Sequence, residues 1–231
     1  ETNVHHPTDI NLLLDATRKT IEECARLSRT CQQTGWRQCR NNIRQFKKQY
    51  RIVQNLTCST SKDQQKKRAR EEERRKEHLK YVIMAQTHHL RAETSLELLE
   101  KRVRSSYELL LLRECMGSAK TLMGQIIRRV HLNEVIPHHE KILSIFQPHT
   151  EWISKGKAGV PVELGLRVNI IEDRHQFILH HQVMRGQTDD KVAVEMVNET
   201  KKRFPDLVVV SWDKGAHSSQ NQRELKELLD L

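Results

Sequence analysis

Several side chains in this sequence have types and spacings that could do chemistry. Asp213 stands in Trp212-Asp213-Lys214-Gly215, directly after the apolar run Leu207–Trp212. A carboxylate at the carboxyl end of a buried strand lies where open α/β architectures build their active sites. Such an acid can ligate Mg²⁺, and a pair of such ions can hold the attacking and leaving oxygens of a phosphodiester in line. The alternative is a turn Asp that caps the next element, with Gly215 two residues on. Lys155 and Lys157 form a basic loop with the glycines around them. Either this loop meets a DNA backbone or it is an ordinary solvated turn. Arg37, Arg40, Arg44, Lys47 and Lys48 recur at three- and four-residue spacings, which puts several of them on one helical face and suggests a non-specific DNA surface.

Other clusters read as structural. The histidine pairs 88–89, 138–139 and 180–181 invite a metal, but adjacent residues diverge on a helix and point to opposite faces of a strand. Cys24, Cys31 and Cys39 recur at seven and eight residues, which aligns them on one helical face as core residues, whereas zinc sites favour close pairs. Five cysteines without a scaffold-like spacing fit a reducing compartment, and no disulfide is expected. The longest apolar run is a handful of residues, and residues 1–20 carry no charged start followed by an apolar stretch, so the expected location is cytoplasmic.

The elements that must position these residues fall into two textures. Residues 17–131 hold 27 Lys and Arg against 12 Asp and Glu, whereas residues 151–231 hold 12 against 13, so the net charge of +10 is concentrated in the first half. A basic body beside a neutral one suggests that the first grips a polyanion; a merely solvated helical surface is the other reading. Residues 10–131 lack proline and carry helical apolar spacings. Thr8 or Asp9 can cap the first helix, and the polar stretch 54–63 predicts the end of one helix and the start of another. Lys62–Lys80 reads as a solvated helix that turns apolar at Tyr81, Val82, Ile83 and Met84. Leu96, Leu99, Val103 and Leu110 form an a/d-like stripe broken by Ser106, so a helical hairpin or short coiled coil is expected.

From Pro137 onward prolines and glycines punctuate shorter elements. Leu164, Leu166, Val168 and Ile170 alternate with polar residues or glycine, and after the turn 172–176 the run Phe177–Met184 is again extended, which predicts a β-hairpin. Asp189 and Asp190 open a helix with Val192, Ala193, Met196, Val197 and Thr200 on one face, closed at Phe204-Pro205. Leu207–Trp212 reads as a strand buried on both faces, and Ser218 or Ser219 can cap a last helix through Leu229.

Four stretches carry a resemblance: Glu1-Thr2-Asn3-Val4-His5-His6-Pro7-Thr8-Asp9, Phe146–Lys157 (Phe-Gln-Pro-His-Thr-Glu-Trp-Ile-Ser-Lys-Gly-Lys), Thr188-Asp189-Asp190-Lys191, and Trp212-Asp213-Lys214-Gly215-Ala216-His217-Ser218. Together they resemble the RNase H-fold DDE transposases of insertion sequences, strongly over 1–9 and 133–231 and more weakly through the helices. The resemblance implies an α/β fold, a partial RNase H-like mixed sheet with flanking helices that carries a large all-helical insertion. On that reading residues 1–9 hold the end of a first core strand and its flanking motif, 10–131 the basic helical insertion, 132–160 a linker, and 161–231 the core portion of hairpin, helix, strand and helix.

The resemblance also implies a reaction. Metal-activated water cuts DNA at an element end, and the freed 3′-hydroxyl attacks target DNA. The implied cofactor is Mg²⁺ (or Mn²⁺), and the implied partners are DNA and further copies of the chain on paired element ends, with no membrane and no small-molecule substrate. Of the family's three carboxylates only the second carries over, onto Asp213 as catalytic metal ligand. Asp9 belongs to the flanking motif, and Ala216 stands where the family usually has an aromatic residue. The expectation is therefore a truncated copy that does not cleave or join DNA by itself. The competing readings are a non-catalytic helical DNA-binding protein and a metal-dependent nuclease on the same fold.

Overall fold

The computed structural model describes residues 8–56, 62–103, 106–154, 162–212 and 214–229. They are mixed α and β, and they divide into two units, one running to Pro148 and the other beginning at His149.

The first unit is built on four helices: α1 (Asp9–Thr30), α2 (Cys39–Asn55), α3 (Gln64–Glu100) and α4 (Leu110–His131). Local chemistry sets their starts. Thr8 caps α1, its hydroxyl accepting from the Asn11 N–H at 3.4 Å, and Asp63 caps α3 by accepting from Gln65 and Lys66. The break between α1 and α2 lies at residues 31–38, where Gln32 and Gly35 take positive φ values of 51° and 134° that end helical propagation.

α1 packs against all three other helices, α2 against α3, and α3 against α4. The expected helical hairpin is therefore a larger assembly of four packed helices. One core cluster gathers Leu13, Phe46, Tyr81, Leu122, Ile126 and Val130. Phe46 and Tyr81 stack with centroids 4.6 Å apart, and the Tyr81 hydroxyl donates to the Ile10 carbonyl at 3.0 Å. A second cluster gathers Ile21, Cys24, Leu27, Trp36, Leu99 and Leu112. Burying each such side chain stabilises the fold by about 1.5–3 kcal/mol before entropy is counted.

Three sequence expectations change here. The stripe Leu96, Leu99, Val103 and Leu110 is not one helical face, because α3 ends at Glu100 and a 3₁₀ turn, Ser106–Leu109, precedes α4; Leu110 is exposed while Leu109 and Leu112 are buried. Cys24 lies on α1, Cys31 caps its end and Cys39 opens α2, so they share the second core cluster without sharing a helix. Parts of the stretch expected as a linker are structured: Ile136 is buried, Ile142 and Ile145 pack against the first cluster, and residues 151–154 form a strand.

In the second unit β1 (Glu151–Ser154) pairs antiparallel with β2 (Val162–Gly165), and β3 (Arg167–Glu172) with β4 (Ile178–Met184). The predicted hairpin is β3–β4, closed by a turn in which the Asp173 carboxylate accepts from the His175 and Phe177 N–H groups at 2.8 and 2.9 Å. The inward face differs from the expected one. Asn169 and Ile171 are buried, while Val168 and Ile170 are exposed, because the continuous alternation from Leu164 is interrupted at Gly165, whose φ is 153°. Helix α5 (Asp189–Arg203) packs on β3 and β4 through Val192, Ala193, Met196, Val197 and Thr200, the face the sequence predicts. Helix α6 (Ser219–Leu229) packs on α5 and is capped by Ser218, whose hydroxyl accepts from the Asn221 N–H at 3.0 Å.

The run Leu207–Trp212 is a further correction. It forms no strand among the described residues, and Val208 and Val209 are 62% and 68% exposed while Leu207, Val210 and Trp212 pack on the core. A continuous apolar run has no period from which to read its faces, and among the described residues no strand pairs with it. No helix of the described residues is long and apolar enough to cross a membrane.

Candidate nucleic-acid interface

Helix α2 contains no Asp or Glu among its 17 residues. Its buried side carries Phe46, Gln49 and Val53, held against α1 and α3; the Gln49 side chain donates to the Glu77 carboxylate at 2.6 Å. At about 100° per residue, Arg40, Arg44, Lys47, Lys48 and Arg51 fall within an arc of roughly 100° on the opposite side. All five are exposed. Arg37 is exposed too, but it lies in the connection before α2 and not on the helix. The sequence thus anticipates the face, and the structure adds Arg51 to it and removes Arg37 from the helical register.

Among the described residues no acid offsets this face. Elsewhere in the unit many, though not all, basic side chains are tied to acids: Arg18 to Asp15 and Glu22 at 3.1 Å, Arg26 to Glu23 at 2.7 Å, Arg74 and Arg75 to Glu71 at 2.8 and 3.2 Å, and Arg129 to Asp9 at 2.9 Å. The hydrogen bonds from Arg74 and Arg75 hold the Glu71 carboxyl below its usual value, as expected for an acid committed to its partners. On α2 none of the five basic residues makes an ion pair among the described residues; Arg44 donates only to the neutral Asn41 side chain at 3.0 Å. Uncompensated cations on a rigid helix suit a regularly spaced polyanion.

At the start of this face the chain turns a corner. Trp36 is buried there, its Nε1 donates to the Ser95 hydroxyl at 2.9 Å, and the Arg91 guanidinium lies over its ring. Arg91 also donates to the Gly35 carbonyl. A cavity of about 610 Å³ opens beside the corner, with Arg29, Arg37 and Arg40 in its wall and no acidic residue among the described ones. The sequence reading passed over this corner, although Gly35 followed by a lone Trp was the available signal.

Asp213, Lys155 and Lys157 lie outside the described residues. What surrounds Asp213 in sequence is described. Trp212 is half-buried against the core of its unit, and the 3₁₀ turn Lys214–Ala216 buries Ala216. The Asn221 side chain spans two elements, donating to the Ala216 carbonyl at 3.0 Å and to the Asp190 carbonyl at 2.7 Å. The buried Asn169 donates to the Asp189 carboxylate at 3.0 Å, so the Thr188–Lys191 segment is anchored to both the hairpin and the 214–216 turn.

Among the described residues no three His, Cys, Asp or Glu side chains converge as metal ligands, so these residues by themselves do not supply a Mg²⁺ cage. His88 meets Phe46 edge-on, while His89 Nε2 lies 3.3 Å from the Glu93 carboxylate. Burial pushes the Cys24 thiol up to about 12 and the Cys115 thiol up to about 11, so neither offers a thiolate near neutral pH. Comparison with protein-family models, with curated proteins and with solved structures finds no significant match to this chain.

Proposed function

We propose that this chain handles DNA as part of a DDE-type transposition machinery, with its helical unit gripping the phosphate backbone through the exposed face of α2. The observation that carries the DNA reading is the five-residue basic face without an acidic partner, in a unit whose other arginines are largely paired. The transposase assignment rests on the four sequence motifs. The order of hairpin, α5, the 207–212 run and α6, with α5 packed on the hairpin, supports an RNase H-like arrangement. In this reading Asp213 is one of three carboxylates that hold Mg²⁺ (or Mn²⁺), Lys155 and Lys157 approach the DNA near it, and copies of the chain assemble in the cytoplasm on paired element ends.

The test is the salt dependence of duplex binding, measured by fluorescence anisotropy. Each phosphate contact contributes about 0.9 to the log–log slope. The variant R40Q/R44Q/K47Q/K48Q should flatten the slope by about 3 to 4, whereas R18Q/R26Q/R74Q, which removes ion-paired charges, should change it little. Equal slopes for the first variant and the parent chain would refute the interface. The second reading, a non-catalytic DNA-binding protein, is favoured by the same face, and tighter binding to the terminal repeats of a mobile element than to unrelated duplex would separate the two.

A further inference from the structure

The corner between α1 and α2 has properties that a featureless basic surface lacks. Its cavity of about 610 Å³ is walled by the last turn of α1, the connection 33–38 and the first turn of α2. Three arginines, Arg29, Arg37 and Arg40, line it, and among the described residues no Asp or Glu does. Arg37 and Arg40 have no ion-pair partner among the described residues, and Arg29 spends only its Nε on the Ala25 carbonyl at 3.1 Å. A smaller cavity of about 450 Å³ at the same connection is lined by Arg37 and Arg91, again without an acid among the described residues.

A second, independent observation concerns polar groups with nothing to bind. Ser28 lines the larger cavity and is only 3% exposed, yet its hydroxyl has no hydrogen-bond partner among the described residues. The Gln33 side-chain oxygen is likewise buried without a partner in the same wall. A hydroxyl inside a helix can bond back to the carbonyl four residues earlier, as Thr20 does to Ala16 at 2.8 Å and Thr30 to Arg26 at 3.2 Å on this helix, whereas Thr17 and Ser28 do not, and of these two only Ser28 lines the cavity. A buried polar group left unmatched costs about 1–3 kcal/mol, so such groups usually meet a ligand or an ordered water.

We propose that this corner is a binding subsite for a single phosphate group. Arg29, Arg37 and Arg40 supply charge-assisted donors and Ser28 a neutral one, a set that suits a tetrahedral oxyanion more than a carboxylate or a neutral ring. The proposal rests on the DNA reading for its physiological source: Arg40 belongs both to the cavity wall and to the α2 face, so a strand lying along α2 brings a phosphate to the corner. Trp36 and Arg91 hold the connection in place, so its backbone is set before the anion arrives.

The experiment uses the full chain. Inorganic phosphate is titrated by thermal shift, with sodium chloride at matched ionic strength as reference. The parent chain should be stabilised by phosphate beyond chloride, and S28A/R37Q, which leaves α2 and the apolar core residues unchanged, should weaken phosphate binding about tenfold. The variant R44Q/K48Q lies outside the cavity and should keep the phosphate response while weakening duplex binding. No phosphate-specific shift in the parent chain, or an equal shift in S28A/R37Q, overturns the subsite. A phosphate response lost in S28A/R37Q together with unaltered duplex binding by R44Q/K48Q leaves the subsite standing and overturns the α2 interface instead. Comparing 5′-phosphorylated with 5′-hydroxyl duplexes assigns the source. A preference for the phosphorylated end that S28A/R37Q abolishes supports a strand terminus. Equal weakening of both supports a backbone phosphate, and no weakening of either overturns the DNA role of the subsite.

Discussion

The guanidinium carbon of Arg91, on α3, lies 4.3 Å from the centroid of the Trp36 ring in the connection between α1 and α2. The same guanidinium donates to the Gly35 carbonyl, so one long side chain fastens the corner to the helix beneath it. Trp36 is 4% exposed and belongs to the second core cluster, so W36A should cost about 3–5 kcal/mol in urea unfolding. R91A should cost about 1 kcal/mol and red-shift the Trp36 emission, and R91K should not restore it, because an ammonium cannot both stack and donate in that plane. Wild-type stability in W36A would show that the corner is not part of the core.

Two histidines, the buried His78 and the half-buried His88, set a pH dependence. Burial holds His78 below its ordinary value of 6.5, with the positive charges of Arg74, Arg129 and His131 acting in the same direction and the Arg74 carbonyl opposing them. Burial, then the charge of Arg91, lowers His88 too. Both folded-state values lie below the unfolded one, so the unfolded chain takes up protons first as the solution is acidified. The stability contributed by the neutral rings is complete above pH 6.5 and falls as pH drops below it towards the lowered folded values. Acids held low by partners, Glu23 and Glu71, act chiefly below their unfolded value of 4.5. Urea midpoints should therefore fall between pH 7.5 and pH 5.5, and H78Q/H88Q should reduce that fall. An identical fall in the double variant would assign the effect to other groups.

In the second unit Met196 is fully buried on α5 against Ile171, Met184 and Leu229. M196A should destabilise this unit by about 2–5 kcal/mol. Hydrogen exchange should then rise in β3, β4, α5 and α6, while amides of α1–α4 keep their protection, since the units are built on separate cores. Uniform acceleration across both units would contradict that separation.

The motifs match one of the three carboxylates that the proposed chemistry uses, Asp213. Mg²⁺ gives up its waters only for several well-placed oxygens, so one carboxylate holds it poorly. The purified 231-residue chain should bind duplex DNA yet neither cleave nor join it with Mg²⁺ or Mn²⁺. Strand transfer above background that disappears in D213N would overturn this expectation and assign the chain a complete site of its own.

The sequence by itself determined what depends on neighbours in the chain. The caps at Thr8, Asp63 and Ser218, the end of α2 at Asn55 and the start of α3 at Gln64, the hairpin turn and the buried face of α5 each follow from side chains a few residues apart, and the structure has them where those residues put them. The basic periodicity of α2 was equally legible. Tertiary structure decided what depends on distant partners. Whether an arginine is free or neutralised was not readable from its spacing: Arg129 finds Asp9 across the sequence, while Arg40 finds no acid. The inward side of β3, the exposure of Val208 and Val209, and the gathering of Cys24, Cys31 and Cys39 from two helices were settled by what each segment packs against. The corner at Trp36 belongs to this second group, because its cavity, its unmatched Ser28 and its cover by Arg91 come from three segments that only the fold brings together.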